Sequence, residues 1–248
     1  MKNSVSRFNE RAGDYARYRP SYPADAIDAV LDGLGNLATL TVVDIGAGTG
    51  ISAQLLAARG AKVIGIEPNA EMRAIAAGSG IDVREATAGA LGLPDASVDL
   101  VTCFQAFHWF ANAASIAEFK RVLRPGGRVA LVWNERDDND PFTRGYGEIV
   151  DGFPDRMALA GYRNGSAVIN QLLVDGDLRN VRRFCFSGGQ TLDYDAMLGR
   201  VRSSSYAPRE GPEHAAMIEQ LSANFDRYAA GGEVRLVYRV DVYLGEKA

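Results

Sequence analysis

The chain has 248 residues, of which 47% are hydrophobic and 23% charged, and its formal net charge is −4. This balance excludes a disordered or fibrous protein, and the length allows one large α/β domain or one domain with a small cap. The basic residues are scattered, which disfavours nucleic acid as the main partner because duplex-binding proteins cluster Lys and Arg against phosphates.

The N-terminal segment, residues 1–30, is rich in Tyr and Arg. We predict a short helix, a turn at Pro20 to Pro23 and a second helix from Ala24, which together form a lid segment. The segment carries no apolar signal-peptide core, and no window of the chain approaches the ~20 apolar residues that cross a bilayer. We therefore expect a cytoplasmic protein without a membrane partner.

Residues 40–134 alternate between strand-like apolar runs and helical patterns. The predicted strands cover 40–45, 62–67, 82–85, 98–104 and 128–133, and the helices cover 51–59, 70–77 and 113–123. Strict alternation predicts parallel strands with right-handed crossovers, and hence an α/β, doubly wound sheet. In such sheets ligands bind beyond the carboxyl ends of the strands, where the strand order reverses.

The rest of the chain loses this alternation and then recovers it. Residues 137–180 are expected to form a small helical cap, inserted in a single domain that spans 1–248. In the C-terminal part, 181–248, we predict a strand near 183–186, helices over 194–204 and 213–228, and a final strand over 234–244. The final strand is expected to lie antiparallel, at or near the edge of the sheet.

The most specific motif is Asp44-Ile45-Gly46-Ala47-Gly48-Thr49-Gly50, between a predicted strand and a predicted helix. Glycines permit positive φ and allow a ligand to lie against bare backbone, and helix-start amides favour a polar or anionic group. The motif resembles the first motif of class I S-adenosylmethionine-dependent methyltransferases. A dehydrogenase would have G-x-G-x-x-G instead, and residue 51 is Ile where the third glycine would stand.

Three more features over residues 40–134 support the resemblance. Glu67 ends the second strand, where a carboxylate can accept both ribose hydroxyls of an adenosine. Residues 86–101 resemble the stretch that passes the adenine, and residues 123–128 resemble the turn before the fifth strand. Thr87 departs from the Asp and Gly89 from the Glu that many members have, so adenine contacts could rest on backbone groups there.

The resemblance implies a Rossmann-like, mostly parallel seven-stranded sheet with an antiparallel last strand, and S-adenosylmethionine as cofactor. It also implies a set of cofactor-binding residues: Asp44, Gly46, Ala47, Gly48, Thr49, Gly50, Glu67, Pro68, Thr87, Ala88 and Gln105. No metal site is expected. The sulfonium methyl is intrinsically electrophilic, so the protein mainly has to hold donor and acceptor in line.

A looser resemblance extends to a microbial subgroup similar to trans-aconitate methyltransferase, through the Tyr- and Arg-rich N-terminus and the run Gln105 to Phe110. It implies that Tyr15, Tyr18 and Arg19 contact the methionine end or the substrate, although these rings could simply fasten the N-terminus to the sheet. His108 could deprotonate an acceptor or only shape the pocket, and a carboxylate acceptor would need no base. The predicted substrate-contacting residues are Tyr15, Tyr18, Arg19, His108, Trp109 and Trp133.

Arg136, Arg144 and Arg163 could clamp an acidic substrate, although such arginines are more often solvated. The predicted function is methyl transfer from S-adenosylmethionine to a small-molecule acceptor, a carboxylate or a hydroxyl. Two alternatives stay open at this point: a protein that binds S-adenosylmethionine without transfer, and an NAD-dependent oxidoreductase.

Overall fold

A computed structural model describes residues 12–153, 178–204 and 207–248, and seven strands of these residues form one sheet in the order β3-β2-β1-β4-β5-β7-β6. The strands are β1 (Thr41–Ile45), β2 (Lys62–Ile66), β3 (Asp82–Arg84), β4 (Val98–Phe104), β5 (Leu123–Arg136), β6 (Leu178–Leu192) and β7 (Val234–Lys247). The helices are α1 (Ala12–Tyr18), α2 (Ala24–Leu31), α3 (Ile51–Ala57), α4 (Ala70–Gly78), α5 (Ala113–Val122), α6 (Pro141–Gly152), α7 (Tyr194–Arg202) and α8 (Gly211–Tyr228). Parts of the predicted lid (1–11) and cap (154–177), including Arg163, lie outside the described residues.

The strand directions confirm the predicted mostly parallel sheet with an antiparallel last strand. Strands β1 to β5 pair in parallel, whereas β7 pairs antiparallel with both β5 and β6. The last strand therefore lies second from the edge, and β6 is the edge strand. The strand order reverses between β1 and β4, which lie side by side at the centre of the sheet.

Strand β6 is much longer than the stretch predicted near 183–186. It spans Leu178–Leu192, and most of its side chains are exposed or half-buried. An edge strand with such a surface shows no clean alternation of apolar and polar residues, because neither face is fully buried. Its length follows from pairing along β7, which local sequence does not encode.

Alternate residues of the central strands enter two separate apolar clusters. Val42, Leu100 and Val132 join the helices α2, α3, α6, α7 and α8 on one face of the sheet. Val43 and Val101 join α5 on the other face. Both faces are covered, as a central parallel sheet requires.

Short polar side chains begin several of the helices at the predicted positions. Asn69 and Asn112 accept hydrogen bonds from the backbone N–H groups of Met72 and Ser115, at 2.9 and 3.0 Å. These side chains satisfy N–H groups that have no partner within the helix. The cap at Asn69 also fixes the chain just after β2, where the site is formed.

The helices between β6 and β7 pack in two different places. Helix α1 packs against α7 and α4, and α8 packs against α6. Within the described ranges, no helix is both long enough and apolar enough to cross a membrane.

Candidate active site at the switch between β1 and β4

The turn after β1 carries three glycines in the left-handed region, at the point where the strand order reverses. Gly46, Gly48 and Gly50 have φ angles of 72°, 58° and 86°. The backbone N–H of Gly46 donates to the carbonyl of Ile66 at the end of β2, at 2.8 Å. The turn is therefore fastened to the neighbouring strand and opens onto the place where a doubly wound sheet binds its ligand.

The three glycines are required for different reasons. A Cβ at Gly46 would lie 2.5 Å from the Cβ of Ala106, and one at Gly50 would lie 3.1 Å from the Cβ of Ala76. A Cβ at Gly48 would meet nothing closer than 3.8 Å. Packing thus explains Gly46 and Gly50, whereas the open side of Gly48 leaves bare backbone available to a ligand.

Asp44 lies near the end of β1, directly before the glycine turn, and supports it through side-chain hydrogen bonds. Its carboxylate is fully buried and accepts hydrogen bonds from the hydroxyls of Ser52 and Thr102, at 2.6 and 2.7 Å. Burial raises the pKa of Asp44 to about 6, and the two hydroxyl bonds oppose that rise. Through these bonds Asp44 helps to fix the conformation of the turn, and its carboxylate places a negative charge next to the turn.

Glu67 links the turn to the end of β2. One carboxylate oxygen accepts from the N–H of Gly48 at 3.0 Å, and the other accepts from the N–H of Asn69 at 2.8 Å. Burial raises the pKa of Glu67, while both backbone N–H bonds lower it. Each oxygen keeps a second lone pair, so the carboxylate can still accept ribose hydroxyls.

A pocket that is open to solvent on one side lies on the turn. Its walls come from the lid segment, the glycine turn, the ends of β4 and β5, helix α7 and strand β7. The lining residues are Tyr15, Arg19, Pro20, Tyr22, Gly46, Ala47, Thr49, Ile51, Ser52, Phe104, Gln105, Asn134, Arg200 and Tyr238. Six residues predicted at the cofactor or substrate site meet here, from the turn, the end of β4 and the N-terminal segment: Tyr15, Arg19, Gly46, Ala47, Thr49 and Gln105.

Four polar atoms of this lining have no hydrogen-bond partner among the described residues, although each is buried. They are the donor Arg19 Nε, the hydroxyl Thr49 Oγ1, which can donate or accept, and the acceptors Gln105 Oε1 and Asn134 Oδ1. Buried polar groups are normally paired, so such a cluster indicates a ligand that carries both donors and an anion. The α-ammonium and carboxylate groups of S-adenosylmethionine supply both, and the pocket therefore fits this cofactor.

Several predicted residues lie elsewhere. Trp133 is buried on the opposite face of the sheet, with its ring 6.1 Å from that of Tyr243, because it alternates with Asn134 along β5. Tyr18 packs on Gly199, whose Cβ would lie 2.4 Å from the tyrosine ring. Trp109 is 42% exposed. None of these three lines the pocket.

His108 lies in a 3₁₀ turn, Phe107–Trp109, that follows β4, and it does not line the pocket either. Burial lowers the pKa of His108 to about 4. The imidazole is therefore neutral at pH 7 and a weak base. Its predicted catalytic role stays a prediction.

The predicted adenine-side residues lie beyond the ends of β2 and β3. Pro68 directly follows Glu67, Thr87 is exposed and bridges to Ala90, and Ala88 is buried. None of the three lines the pocket on the turn. Their contacts with the adenine stay a prediction.

Sequence reasoning missed eight residues of the pocket wall: Pro20, Tyr22, Ile51, Ser52, Phe104, Asn134, Arg200 and Tyr238. Asn134 could have been found by the rule that ligand-binding residues come at the strand ends. Arg200 had no comparable signal, because it is one of several arginines in a C-terminal helix and only the packing of α7 brings it to the pocket. It is 8% exposed and donates to the hydroxyls of Tyr238, Ser203 and Ser204, each at 3.3 Å.

The predicted arginine clamp is not found among the described residues. Arg136 is paired with Asp151 at 2.7 Å, and Arg144 is exposed and donates to the carbonyl of Asp138. Neither lines the pocket, whose cationic groups are Arg19 and Arg200.

The chain resembles known methyltransferases in sequence. Residues 43–131 match the family described as a methyltransferase domain. An uncharacterized methyltransferase of Mycobacterium tuberculosis is 37% identical over 209 residues, which are 80% of this chain and 76% of that protein. A methyltransferase-like protein of Schizosaccharomyces pombe is 28% identical over 252 residues, which are 98% of this chain and 96% of that protein.

Solved structures show the same fold at low sequence identity. The YcgJ protein of Bacillus subtilis superposes with a TM-score of 0.56 at 19% identity, over 91% of this chain and 99% of that one. Phosphoethanolamine N-methyltransferase 2 of Haemonchus contortus, in complex with S-adenosyl-L-methionine, superposes with a TM-score of 0.58 at 14% identity, over 99% of this chain and 60% of that one.

The sequence match to the mycobacterial relative indicates a methyltransferase. The structure agrees, since it has the expected sheet order, the glycine turn and a carboxylate at the end of β2. This agreement removes the oxidoreductase alternative. The chain belongs to the class I S-adenosylmethionine-dependent methyltransferases.

Proposed function

We propose that this enzyme methylates a carboxylate oxygen of a small di- or tricarboxylic acid. The observation that best supports this proposal is a second guanidinium on the pocket wall. Arg200 is 8% exposed and, like Arg19, lines the pocket on the glycine turn. A guanidinium on the pocket wall can donate charge-assisted hydrogen bonds to a carboxylate of the acceptor, which favours an acidic acceptor.

The residues on the pocket wall support binding through one carboxylate and reaction at another. The hydroxyls of Tyr238, Ser203 and Ser204 accept from Nε and Nη1 of Arg200 and hold its guanidinium on the pocket wall, where it can also donate to a carboxylate. A carboxylate held by a guanidinium is a weaker nucleophile, so a second carboxylate on the same molecule would be presented to the methyl group. The sequence resemblance to the trans-aconitate methyltransferase subgroup favours the same class of acceptor.

The bound S-adenosylmethionine supplies an electrophilic methyl group. The chain contributes binding and alignment. Tyr15 and Arg19 line the pocket, which supports the expectation that the predicted lid segment helps to exclude water. A carboxylate is ionised at pH 7 and needs no base, whereas a hydroxyl acceptor would. A neutral His108 with a pKa of about 4 is poorly suited to deprotonate a hydroxyl, which also favours the carboxylate.

The proposal keeps the domain division predicted from sequence, with a cofactor-binding core over 40–134 and C-terminal strands and helices over 181–248. The cap over 137–180 stays a prediction, and its residues 154–177 lie outside the described residues. No residue of 137–153 lines the pocket, whereas α7 contributes Arg200. A cytoplasmic location, a small-molecule partner and no nucleic-acid partner stay predictions.

The test is a screen for transfer of a labelled methyl group from S-adenosylmethionine to di- and tricarboxylic acids, each paired with its primary amide. We expect label only with the acids, in a product that releases labelled methanol in mild alkali, as methyl esters do. An alkali-stable product from an amine, phenol or alcohol would overturn the proposal.

Two variants that each remove one positive charge test the role of Arg200. Arg200→Met should raise KM for the acid at least tenfold and leave the affinity for S-adenosylhomocysteine within twofold. Arg144→Met removes an exposed arginine outside the pocket and should change neither value. Equal effects of the two variants on KM would contradict the assignment.

A further inference from the structure

Gln190 lies near the end of β6 and bonds to two different parts of the molecule. Its Nε2 donates to the backbone carbonyl of Tyr18, the last residue of α1, at 3.1 Å. Its Oε1 accepts from the hydroxyl of Tyr238 in β7, at 3.4 Å. Tyr238 lines the pocket, whereas Gln190 does not. A half-buried side chain of the edge strand therefore joins the pocket wall to the N-terminal segment.

The strand register explains how Gln190 reaches Tyr238. In the antiparallel pairing of β6 with β7, Gly188 lies opposite Tyr238, and Gln190 lies two residues further along β6. Residues two apart on a strand point to the same face, so Gln190 and Tyr238 are diagonal neighbours on one face of the sheet. A Cβ at Gly188 would lie 3.5 Å from Cγ of Pro23. The N-terminal segment therefore runs close to this part of β6.

Donors and acceptors run in one direction through these bonds. The carbonyl of Tyr18 can only accept, so the amide nitrogen of Gln190 points towards it and the amide oxygen points towards Tyr238. That oxygen also can only accept, so Tyr238 donates its hydroxyl hydrogen to it. The hydroxyl oxygen of Tyr238 then accepts from Nε of Arg200, at 3.3 Å. Each group fixes the orientation of the next, from the guanidinium on the pocket wall to the end of α1.

A second connection between the guanidinium and the N-terminal segment runs through α7. Nη2 of Arg19 donates to the backbone carbonyl of Ser203 at 3.1 Å, and the hydroxyl of Ser203 accepts from Nη1 of Arg200 at 3.3 Å. The two connections differ in what a substitution would disturb. Gln190 neither lines the pocket nor bonds to Arg200, so its connection can be removed without altering the pocket wall.

We propose that Gln190 is a positioning residue for methyl transfer, which couples the orientation of the Arg200 guanidinium to the docking of α1. The inference rests on the proposed function, because it takes Arg200 to bind a carboxylate of the acceptor. Coupling between two sites is reciprocal. A docked N-terminal segment therefore orients Arg200 for the acceptor, and a bound acceptor stabilises the docked segment.

The first test is the rate of tryptic cleavage after Arg17 in the full chain with S-adenosylhomocysteine bound. Gln190→Met, which keeps the length of the side chain, should speed cleavage about fivefold, the effect of one lost hydrogen bond on the open population. Tyr238→Phe removes only the hydroxyl and should also speed cleavage, but it should add nothing in the Gln190→Met background. Gln220→Met, at an exposed amide on α8, should leave the rate unchanged.

The second test is steady-state kinetics with the acid that gives the highest rate in the transfer assay. Gln190→Met should raise KM for this acid about fivefold and leave kcat within about twofold. Affinity for S-adenosylhomocysteine should stay within about threefold, since Arg19 keeps its bond to α7. A residue with only a structural role would instead lower kcat and weaken S-adenosylhomocysteine together with the acid.

Two outcomes would overturn the inference. If Tyr238→Phe has no effect on cleavage, or the same effect in both backgrounds, Gln190 does not connect Tyr238 to α1. If Gln190→Met speeds cleavage and leaves KM unchanged, Gln190 only fastens the N-terminal segment. Failure of every acid to accept a methyl group would refute the proposed function instead, and the cleavage measurements, which need no acceptor, would still decide whether the bonds are coupled.

Discussion

The carboxylate of Glu67 accepts a hydrogen bond of 3.0 Å from the backbone N–H of Gly48, across the gap between the ends of β2 and β1. Its other oxygen accepts from the N–H of Asn69 at 2.8 Å, so one side chain holds both the turn and the start of α4. The residue expected to bind the ribose therefore also shapes the surface on which the cofactor lies. Substitutions here will affect stability and binding together.

Glu67→Gln tests this double role. An amide has one accepting oxygen, so its NH₂ group would face the N–H of either Gly48 or Asn69 and leave that buried donor unpaired. We expect a loss of about 1–3 kcal/mol in the free energy of unfolding, and at least a tenfold loss of affinity for S-adenosylhomocysteine. Urea unfolding and calorimetry measure the two effects, with the exposed Glu71→Gln as control. Unchanged affinity would remove Glu67 from the cofactor site.

Alanine substitutions at two glycines of the turn should separate the effect of packing on stability from the effect of ligand contact on affinity. Gly46→Ala would bring a Cβ to 2.5 Å from that of Ala106, so we expect a large loss of thermal stability. Gly48→Ala has open space and should lose only roughly 1–2 kcal/mol through its positive φ, yet bind S-adenosylhomocysteine at least tenfold more weakly. Gly60→Ala, at a φ of 97° with nothing within 4 Å, is the control for the backbone cost. Wild-type affinity in Gly48→Ala would contradict our placement of the cofactor.

Asp44 should make the protein less stable as pH rises. Burial raises its pKa from 3.8 in the unfolded chain to about 6, so its stabilising contribution is full below 3.8 and is lost as pH rises through 6. The loss amounts to about 3 kcal/mol from the size of the pKa shift. Asp44→Asn can keep both hydroxyl bonds, because Ser52 and Thr102 can donate to its oxygen or accept from its nitrogen.

We therefore expect the free energy of unfolding of Asp44→Asn, relative to wild type, to increase between pH 4 and pH 7. Urea unfolding at both pH values gives this difference and cancels the contributions of other groups. A difference that does not change with pH would show that the Asp44 charge is compensated by its surroundings.

His108→Gln tests the need for a base. If the acceptor is a carboxylate, kcat/KM should fall less than tenfold, and the pH profile between 5 and 8 should keep its shape, because the pKa of His108 is about 4. A fall of a hundredfold or more, with the loss of an acid limb, would instead establish the predicted catalytic base.

Gly199→Ala tests the contact that holds helix α1 against α7. A Cβ at this position would lie 2.4 Å from the ring of Tyr18, so α1 must move away from α7. We expect faster tryptic cleavage after Arg17 and weaker binding of S-adenosylhomocysteine, since Tyr15 and Arg19 lie on the same segment. Gly152→Ala, where a Cβ meets nothing within 4 Å, should leave cleavage unchanged. Equal cleavage in both variants would show that α1 does not depend on this contact.

The ends of the strands and helices show where the local sequence pattern was sufficient to predict an element. Strand β4 spans Val98–Phe104 as predicted, and α5 spans Ala113–Val122 within one residue of the prediction. Both are short elements with strong apolar periodicity, and Asn112 caps the helix through local bonds. Strand β6 was predicted far too short, because its extent depends on β7, more than 40 residues away along the chain.

By itself, the sequence determined the alternating α/β core, the glycine turn with Asp44 and Glu67, and hence the cofactor class, because periodicity and turn chemistry act over a few neighbouring residues. Only the tertiary structure decided which side chains line the pocket on the glycine turn. It brings Arg200 of α7, Asn134 of β5 and Arg19 of the lid segment together and turns Trp133 to the opposite face. Contacts between residues so distant in sequence arise from strand pairing and helix packing, for which no local pattern exists.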